Sequence, residues 1–193
     1  MLRVASLLRR ALALGLLAMA APLAAGAQVT VSMETGQLLA NDGLRPGQSR
    51  WQPEAATATG AISIVVSVSL QRAYVFRGTT LIGVTTVSTG QPGYDTPTGR
   101  YRILEKQVTH HSSLYENAPM PFMQRLTGDG IALHAGVIAR SGNPVSHGCI
   151  RLPPAFAQRL YGMTAIGTVV IVTDETPNTP EEALTLAMAN PSL

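Results

Sequence analysis

The stretch "ISIVVSVSLQRAYVFRGTTLIGVTTVSTG", Ile62 to Gly90, decides the fold. Its first run, Ile62 to Leu70, is β-branched with partial alternation. "AYVFR" follows, then a Gly78-Thr79 turn, then "TLIGVTTVSTG". Branched side chains are stiff at χ1 and sit well on a pleated surface, so such runs broken by a glycine turn predict a β-meander. Next, "QPGYDTPTG" (Gln91 to Gly99) is dense in Pro, Gly and Asp and predicts a loop. "RYRILEKQV" then resumes a strand with Tyr101, Ile103 and Glu105 on one face. Residues 110–128 lack a clean period but hold Tyr115, Met120, Phe122 and Met123. That composition fits a long loop packed over a core or lining a cleft. "GIALHAG" is a short apolar strand ending on His134. "PPAFAQRLYG" (Pro153 to Gly162) predicts a short helix that opens on prolines, buries Phe156 and Leu160, and stops at Gly162. "TVVIVTD" is a final buried strand. Thr179-Pro180-Glu181-Glu182 reads as a capping box before "ALTLAMA", a short C-terminal helix. The fold class is mainly β with these two helices.

The chain has 193 residues, 46% of them hydrophobic, enough for one core and its appendages. Arg3, Arg9 and Arg10 precede the apolar run Ala11 to Ala21, and Ala25-Gly26-Ala27 supplies small residues at a cleavage site. Residues 1–27 therefore read as a secretory signal, cut before Gln28, with an uncleaved anchor as the alternative. The apolar run is short for a membrane span, so no stable span is expected after cleavage. No cysteine ends that run, so a lipid-modified N-terminus is not expected. Residues 28–60 are rich in Gly, Pro, Gln, Thr and Ala without period and read as a flexible linker. The domain is then 61–174 and the tail 175–193. The formal charge of +3 comes from 14 basic and 11 acidic residues. Removing the three leader arginines leaves 11 basic against 11 acidic, a net charge of zero. Nothing in that balance favours nucleic acid or an acidic membrane as partner.

"NPVSHGCIRLP", Asn143 to Pro153, holds the only cysteine in the chain. Free cysteines are commonly small buried hydrophobes. In an exported protein a lone thiol meets oxidants without a structural return, which favours a reactive role for Cys149. Gly148 lets the backbone turn sharply and can aim its own N–H and that of Cys149 at one point, the raw material of an oxyanion hole. The prolines that follow place a helix start a few residues on, and a helix N-terminus would lower the thiol pKa. A thiol nucleophile wants a histidine base. His110 and His111 lie in the long loop. His147 shares a face with Cys149 if the segment is extended, and His134 ends a strand, where a catalytic or a satisfied core histidine would both fit. Zinc on His134, His147 and Cys149 lacks a fourth ligand at a recognisable spacing. Ser146 as a serine nucleophile lacks a G-x-S-x-G setting.

His134 followed by "SHGCIRL" (Ser146 to Leu152), together with "VSTGQPGYDTPTGRYRI" (Val87 to Ile103) and "HHSSLYENAPMPFMQRL", resembles the L,D-transpeptidase catalytic domain family, YkuD type, in an exported bacterial branch. The resemblance runs from about Ile62 to Asp174. It implies a sandwich-like or barrel-like β fold with a helix near the site. It implies Cys149 as nucleophile, His134 as base and acid held by a neighbouring backbone carbonyl, and His147, Gly148 and Ser146 shaping the pocket and oxyanion hole. Arg151, Tyr115 and Met120 become expected substrate contacts. Arg stands where many members carry Asn. No cofactor or metal is implied. The implied partners are peptidoglycan stem peptides or a wall-anchored lipoprotein, in the periplasm or cell wall. The implied reaction is acyl transfer from a tetrapeptide stem through a Cys149 thioester to an amine, giving 3-3 cross-links. Water as acceptor would make an L,D-carboxypeptidase, and a lipoprotein amine an anchoring enzyme. A sortase-like enzyme would want a Thr-x-Thr-Cys strand end. An inactive wall-binding module of the same fold is the reading of a different class.

Overall fold

The computed structural model describes residues 43–189. The expected signal at 1–27 and the first part of the expected linker, 28–42, lie outside them. Ten strands are described: β1 Ser49–Trp51, β2 Ile62–Ser67, β3 Arg72–Arg77, β4 Thr80–Thr86, β5 Gly99–Arg102, β6 Glu105–Gln107, β7 Met123–Arg125, β8 Ala132–Ala135, β9 Ile150–Leu152 and β10 Val169–Thr173. Two helices, α1 Pro154–Met163 and α2 Pro180–Met188, complete the domain. The strands form a six-stranded sheet, β1-β4-β3-β2-β10-β5, and a four-stranded sheet, β6-β7-β8-β9.

The meander expected from Ile62 to Gly90 is the centre of the large sheet. β2 pairs antiparallel with β3 and β3 with β4. β2 reads as a nearly continuous apolar run because both its faces are covered. Ile64 and Val66 enter the main core with Leu133, Ile150, Leu152 and the α1 residues Phe156 and Leu160. Val65 enters a second cluster with Tyr74, Phe76, Ile171 and the α2 residues Ala183, Leu184 and Ala187. The tail is thus an outer layer of the domain. Its N-cap is as expected: Thr179 Oγ1 accepts the Glu182 N–H at 3.2 Å. The reciprocal Glu182 carboxylate accepts from Asn178 N–H at 2.7 Å. α1 runs one residue past the expected Gly162.

Three expectations change. The last part of the presumed linker is structured: β1 pairs with β4, and Pro53–Ala56 makes a 3-10 turn. Trp51 stacks on Phe156 with centroids 4.4 Å apart and planes at 14°, and Arg159 lies 4.6 Å over the same indole. Gly83, the register partner of Trp51, makes this possible, because a Cβ there would meet the indole at 2.7 Å. The stretch Arg100 to Val108 is two strands, since β5 pairs with β10 in the large sheet and β6 with β7 in the small one. Ile103, fully buried, marks the crossing between sheets, and Leu104 is exposed beside it. Residues 110–128 include β7, and their first part folds as a hairpin, with Phe122 N–H donating to Val108 O and Met120 N–H to His110 O.

Trp51→Ala is expected to lower the unfolding free energy by about 2–4 kcal/mol through the lost stack and the space left over Gly83. Urea unfolding followed by circular dichroism measures it, and an unchanged midpoint would return residues 49–56 to the status of a linker.

Candidate active site

The site is built on β8 and β9, which pair parallel with Leu133 opposite Ile150, His134 opposite Arg151 and Ala135 opposite Leu152. Side chains alternate across a strand. Leu133, Ala135, Ile150 and Leu152 point into the main core. The opposite face therefore carries Ala132 and His134 on one strand, and Cys149 and Arg151 at the start of the other. Cys149 packs there on a small cluster of Met120, Met123 and Ala132. A parallel pair requires a crossover, and here it is the loop 136–149 that carries Ser146, His147 and Gly148. The loop is pinned from outside: Ser146 N–H donates to Thr89 O, Gln91 N–H to Ser146 O, and Ser88 and Arg151 exchange backbone hydrogen bonds.

Side chains of Tyr115, Met120, His134, Ser146, His147, Cys149 and Arg151 line one cavity of about 680 Å³, closed on one side by the 108–122 hairpin. Of these, Met120 is buried and Tyr115 is partly exposed. His134 is buried, and its Nδ1 lies 2.8 Å from Ala135 O. A carbonyl only accepts, so Nδ1 carries the proton and Nε2 is the basic nitrogen. This is the backbone-held imidazole the resemblance implies. Burial holds the His134 pKa below its ordinary 6.5; the Ala135 hydrogen bond opposes this, while the charges of Arg151 and His110 add to it. Cys149 Sγ lies 3.7 Å from Gly130 O. Burial raises the thiol above its ordinary 9.0, with a backbone hydrogen bond from Ala132 and the Arg151 charge pulling partly back. Both shifts favour the uncharged partners, so the site rests as neutral thiol and neutral imidazole. The helix start does not supply the expected lowering of the thiol, because β9 intervenes and α1 begins only at Pro154.

Gly148 turns the chain as expected, with φ +106 and no room for a side chain, since a Cβ would meet Ile131 Cδ1 at 2.6 Å. Its carbonyl accepts the Thr96 hydroxyl at 2.8 Å, and Thr96 Oγ1 in turn accepts Gly90 N–H. Its N–H, however, is already given to Ser146 Oγ at 3.1 Å. The Ser146 hydroxyl donates to Cys149 O at 2.5 Å. A serine capturing the N–H two residues on is a common local turn, and here it takes one of the two donors expected for an oxyanion hole. The Cys149 N–H is the backbone donor left beside the thiol. Ser146 thus ties the turn together as well as lining the cavity.

The turn also separates the two nearby histidines. The segment is not extended, since the chain bends at His147 and Gly148, yet His147 and Cys149 line the same cavity. The His147 ring stacks on Tyr115 with centroids 4.5 Å apart at 15°, and Tyr94 meets it edge-on at 4.6 Å and 74°. His110 is half buried, with Nδ1 2.8 Å from Gln107 Oε1, while Gln107 Nε2 donates to Glu105. His111 is exposed and bridges to Pro119. Neither His110 nor His111 lines the cavity. Sequence reasoning missed Tyr94, Asp129 and Gly136. Tyr94 sits in a segment that reads only as a loop, Asp129 falls between two segments and drew no reading, and Gly136 shows its use only when Arg151 is packed over it.

A thiol and a neutral imidazole on one face of a strand pair, beside a backbone donor and an apolar cavity, are the parts of nucleophilic acyl transfer. Comparisons with known proteins bear on the family. An L,D-transpeptidase (Yku) from Stackebrandtia nassauensis is similar in structure at 30% identity and TM-score 0.56, over 63% of this chain and 60% of that one. An L,D-transpeptidase from Mycobacterium tuberculosis H37Rv is similar at 28% identity and TM-score 0.55, over 58% of this chain and 57% of that one. L,D-transpeptidase 3 from Mycobacterium tuberculosis, solved with a faropenem-derived adduct, is similar at 28% identity and TM-score 0.51, over 58% and 60%. The chain thus spans about three fifths of the length of these relatives. No curated protein sequence matches it. The model of the YkuD L,D-transpeptidase catalytic domain matches residues 61–172, more than half of the chain, and the protein belongs to that family.

Proposed function

We propose that the protein is an exported peptidoglycan L,D-transpeptidase that carries the acyl group of a tetrapeptide stem on Cys149. The observation that carries this reading is the shared cavity face of Cys149 and His134, with His134 Nδ1 fixed on Ala135 O. The thiol proton passes to His134 Nε2 as sulfur attacks the carbonyl of the stem's L-centre. The tetrahedral oxyanion is met by the Cys149 N–H. Its collapse breaks the amide, and the departing D-alanine amine takes the proton from His134. The amine of a second stem then attacks the thioester, loses its proton to His134, and the thiolate leaves and is reprotonated. A thioester conserves the free energy of the amide, so no nucleotide is needed outside the cytoplasm. His147 holds the Tyr115 end of the hairpin against the turn before Cys149. Water or a lipoprotein amine could resolve the same thioester, and nothing in the cavity favours either over a stem.

The relative solved with a faropenem-derived adduct supplies the probe. A carbapenem is expected to add its mass to the protein in intact mass spectrometry, and Cys149→Ala to abolish the adduct with folding nearly intact. An adduct that persists in Cys149→Ala would sink the assignment.

His134→Ala is expected to slow acylation by about 10²–10⁴-fold, the usual worth of a positioned base. His147→Ala should leave the base in place. If only the His147 variant loses acylation in stopped-flow measurements, the base is misassigned.

The thiol has its folded pKa above its ordinary value, so thiolate accumulates late as pH rises. Iodoacetamide labelling of resting Cys149 is expected to accelerate with pH and reach half its limit above pH 9.0. A rate already at its plateau near neutrality would reveal a preformed thiolate–imidazolium pair.

A further inference from the structure

The connection between β2 and β3 carries a backbone outlier. Gln71, the residue before β3, has φ +51, in the left-handed region that suits glycine or asparagine. Turn stability alone would be better served by either of those. A residue in such a conformation is held there by its surroundings, and here the side chain shows how. Gln71 Nε2 donates to Val68 O at 2.7 Å and to Thr89 Oγ1 at 2.6 Å, and Oε1 accepts the Thr89 N–H at 3.0 Å. The amide can sit only this way round, because a carbonyl accepts and a backbone N–H donates. The Gln71 main-chain carbonyl accepts the Val87 N–H at 3.0 Å as well. Gln71 thus grips the segment 87–89 by backbone and side chain together.

Thr89 is fully buried, so its polar groups need partners inside the fold. Gln71 meets its N–H and its hydroxyl, and its carbonyl accepts the Ser146 N–H at 3.0 Å. Ser146 Oγ in turn accepts the Gly148 N–H and donates to Cys149 O. An unbroken path of hydrogen bonds therefore runs from the Gln71 amide to the main chain of Cys149. The pairing of β9 with β8 begins only at Ile150, one residue after the thiol. The chain entering Cys149 is held instead by Thr89 and by Thr96, whose hydroxyl donates to Gly148 O. Gln71 and Thr89 do not line the cavity, so neither touches a substrate there.

We propose that Gln71 is a positioning residue for Cys149: through Thr89 and Ser146, its amide sets the place of the turn that aims the thiol and the Cys149 N–H. The inference rests on the reading of Cys149 as the acylated nucleophile. Acyl transfer depends on the attack distance and on a donor placed for the oxyanion, and a misplacement of about 1 Å costs on the order of 10²-fold. Alkylation of the thiol by a small reagent needs neither, and reads only ionisation and access. Loss of the clamp therefore slows acylation and spares alkylation. Because no clamp atom touches the ligand, the loss falls on the maximal rate rather than on binding.

The test compares wild type with Gln71→Gly, Thr89→Val and Thr89→Ser. Gln71→Gly suits the backbone of this turn and removes the amide. For each protein, stopped flow gives the maximal rate of acylation by a carbapenem and the concentration that reaches half of it. Iodoacetamide labelling and the urea midpoint are measured beside them. Gln71→Gly is expected to lose roughly 10- to 100-fold in maximal rate, with half-saturation and labelling close to wild type in a folded protein. Thr89→Val should move the same way by a smaller factor, since the Thr89 N–H keeps its partner. Thr89→Ser, which retains the hydroxyl, should acylate as wild type does. A wild-type maximal rate in folded Gln71→Gly overturns the inference. So does a loss carried by half-saturation, or a labelling rate that falls by the same factor. If Gln71→Gly does not fold, the Thr89 pair decides, and equal rates for its two members overturn the inference. A wild-type protein that no carbapenem acylates would instead overturn the transpeptidase reading itself.

Discussion

The site depends on one pairing, the parallel register of β8 and β9. Setting Leu133 against Ile150 sends both into the core and leaves His134, Arg151 and Cys149 together on the other face. A slip of one residue would put the thiol and imidazole on opposite faces, because the side-chain period is two. Parallel strands also force a crossover. The chain uses that crossover to deliver Ser146, His147 and Gly148 beside the thiol, pinned by the edge at Ser88 to Gln91. The large sheet, with α2 on its outer face and α1 between the sheets, is the anvil against which this register is held.

Burial on that scaffold explains the protonation state. A low-dielectric cavity disfavours charge on both groups, so it pushes the thiol up and the imidazole down. A neutral thiol is the less oxidisable form. That suits the unpaired cysteine of the exported enzyme proposed above. Activation is then left to the moment of attack, when His134 Nε2 accepts the proton. The aromatic contact of Tyr115 with His147 joins the 108–122 hairpin to the turn that carries the nucleophile, so the cavity wall and the nucleophile share one support.

Much of this was legible in the sequence. The β2–β4 meander announced itself because a sheet covered on both faces needs long branched runs. The ends of α1 and α2 followed from prolines and the Thr179 cap. Cys149 stood out by residue type, whereas His134 was one of several candidate histidines until the family resemblance singled it out. β1 was not legible, because three residues carry no period and its warrant is the Trp51 ring resting on Gly83 and Phe156, a contact made across the fold. The break at Ile103 was hidden because alternation continues through a chain that changes sheets. The Gly148 N–H looked free until Ser146 was seen to fold back on it. Asp129 drew no reading of its own, and only the fold brings it to the cavity lining.

The central claim, that Cys149 takes an acyl group from a stem and yields it to an amine, is tested most directly by intact mass spectrometry of the protein during turnover of a purified tetrapeptide stem. The account predicts an adduct equal to the stem less one D-alanine, mapped to the peptide that contains Cys149. That adduct should discharge as a 3-3 linked dimer when a second stem is added. Loss of D-alanine with no protein adduct, and undiminished in Cys149→Ala, would contradict it.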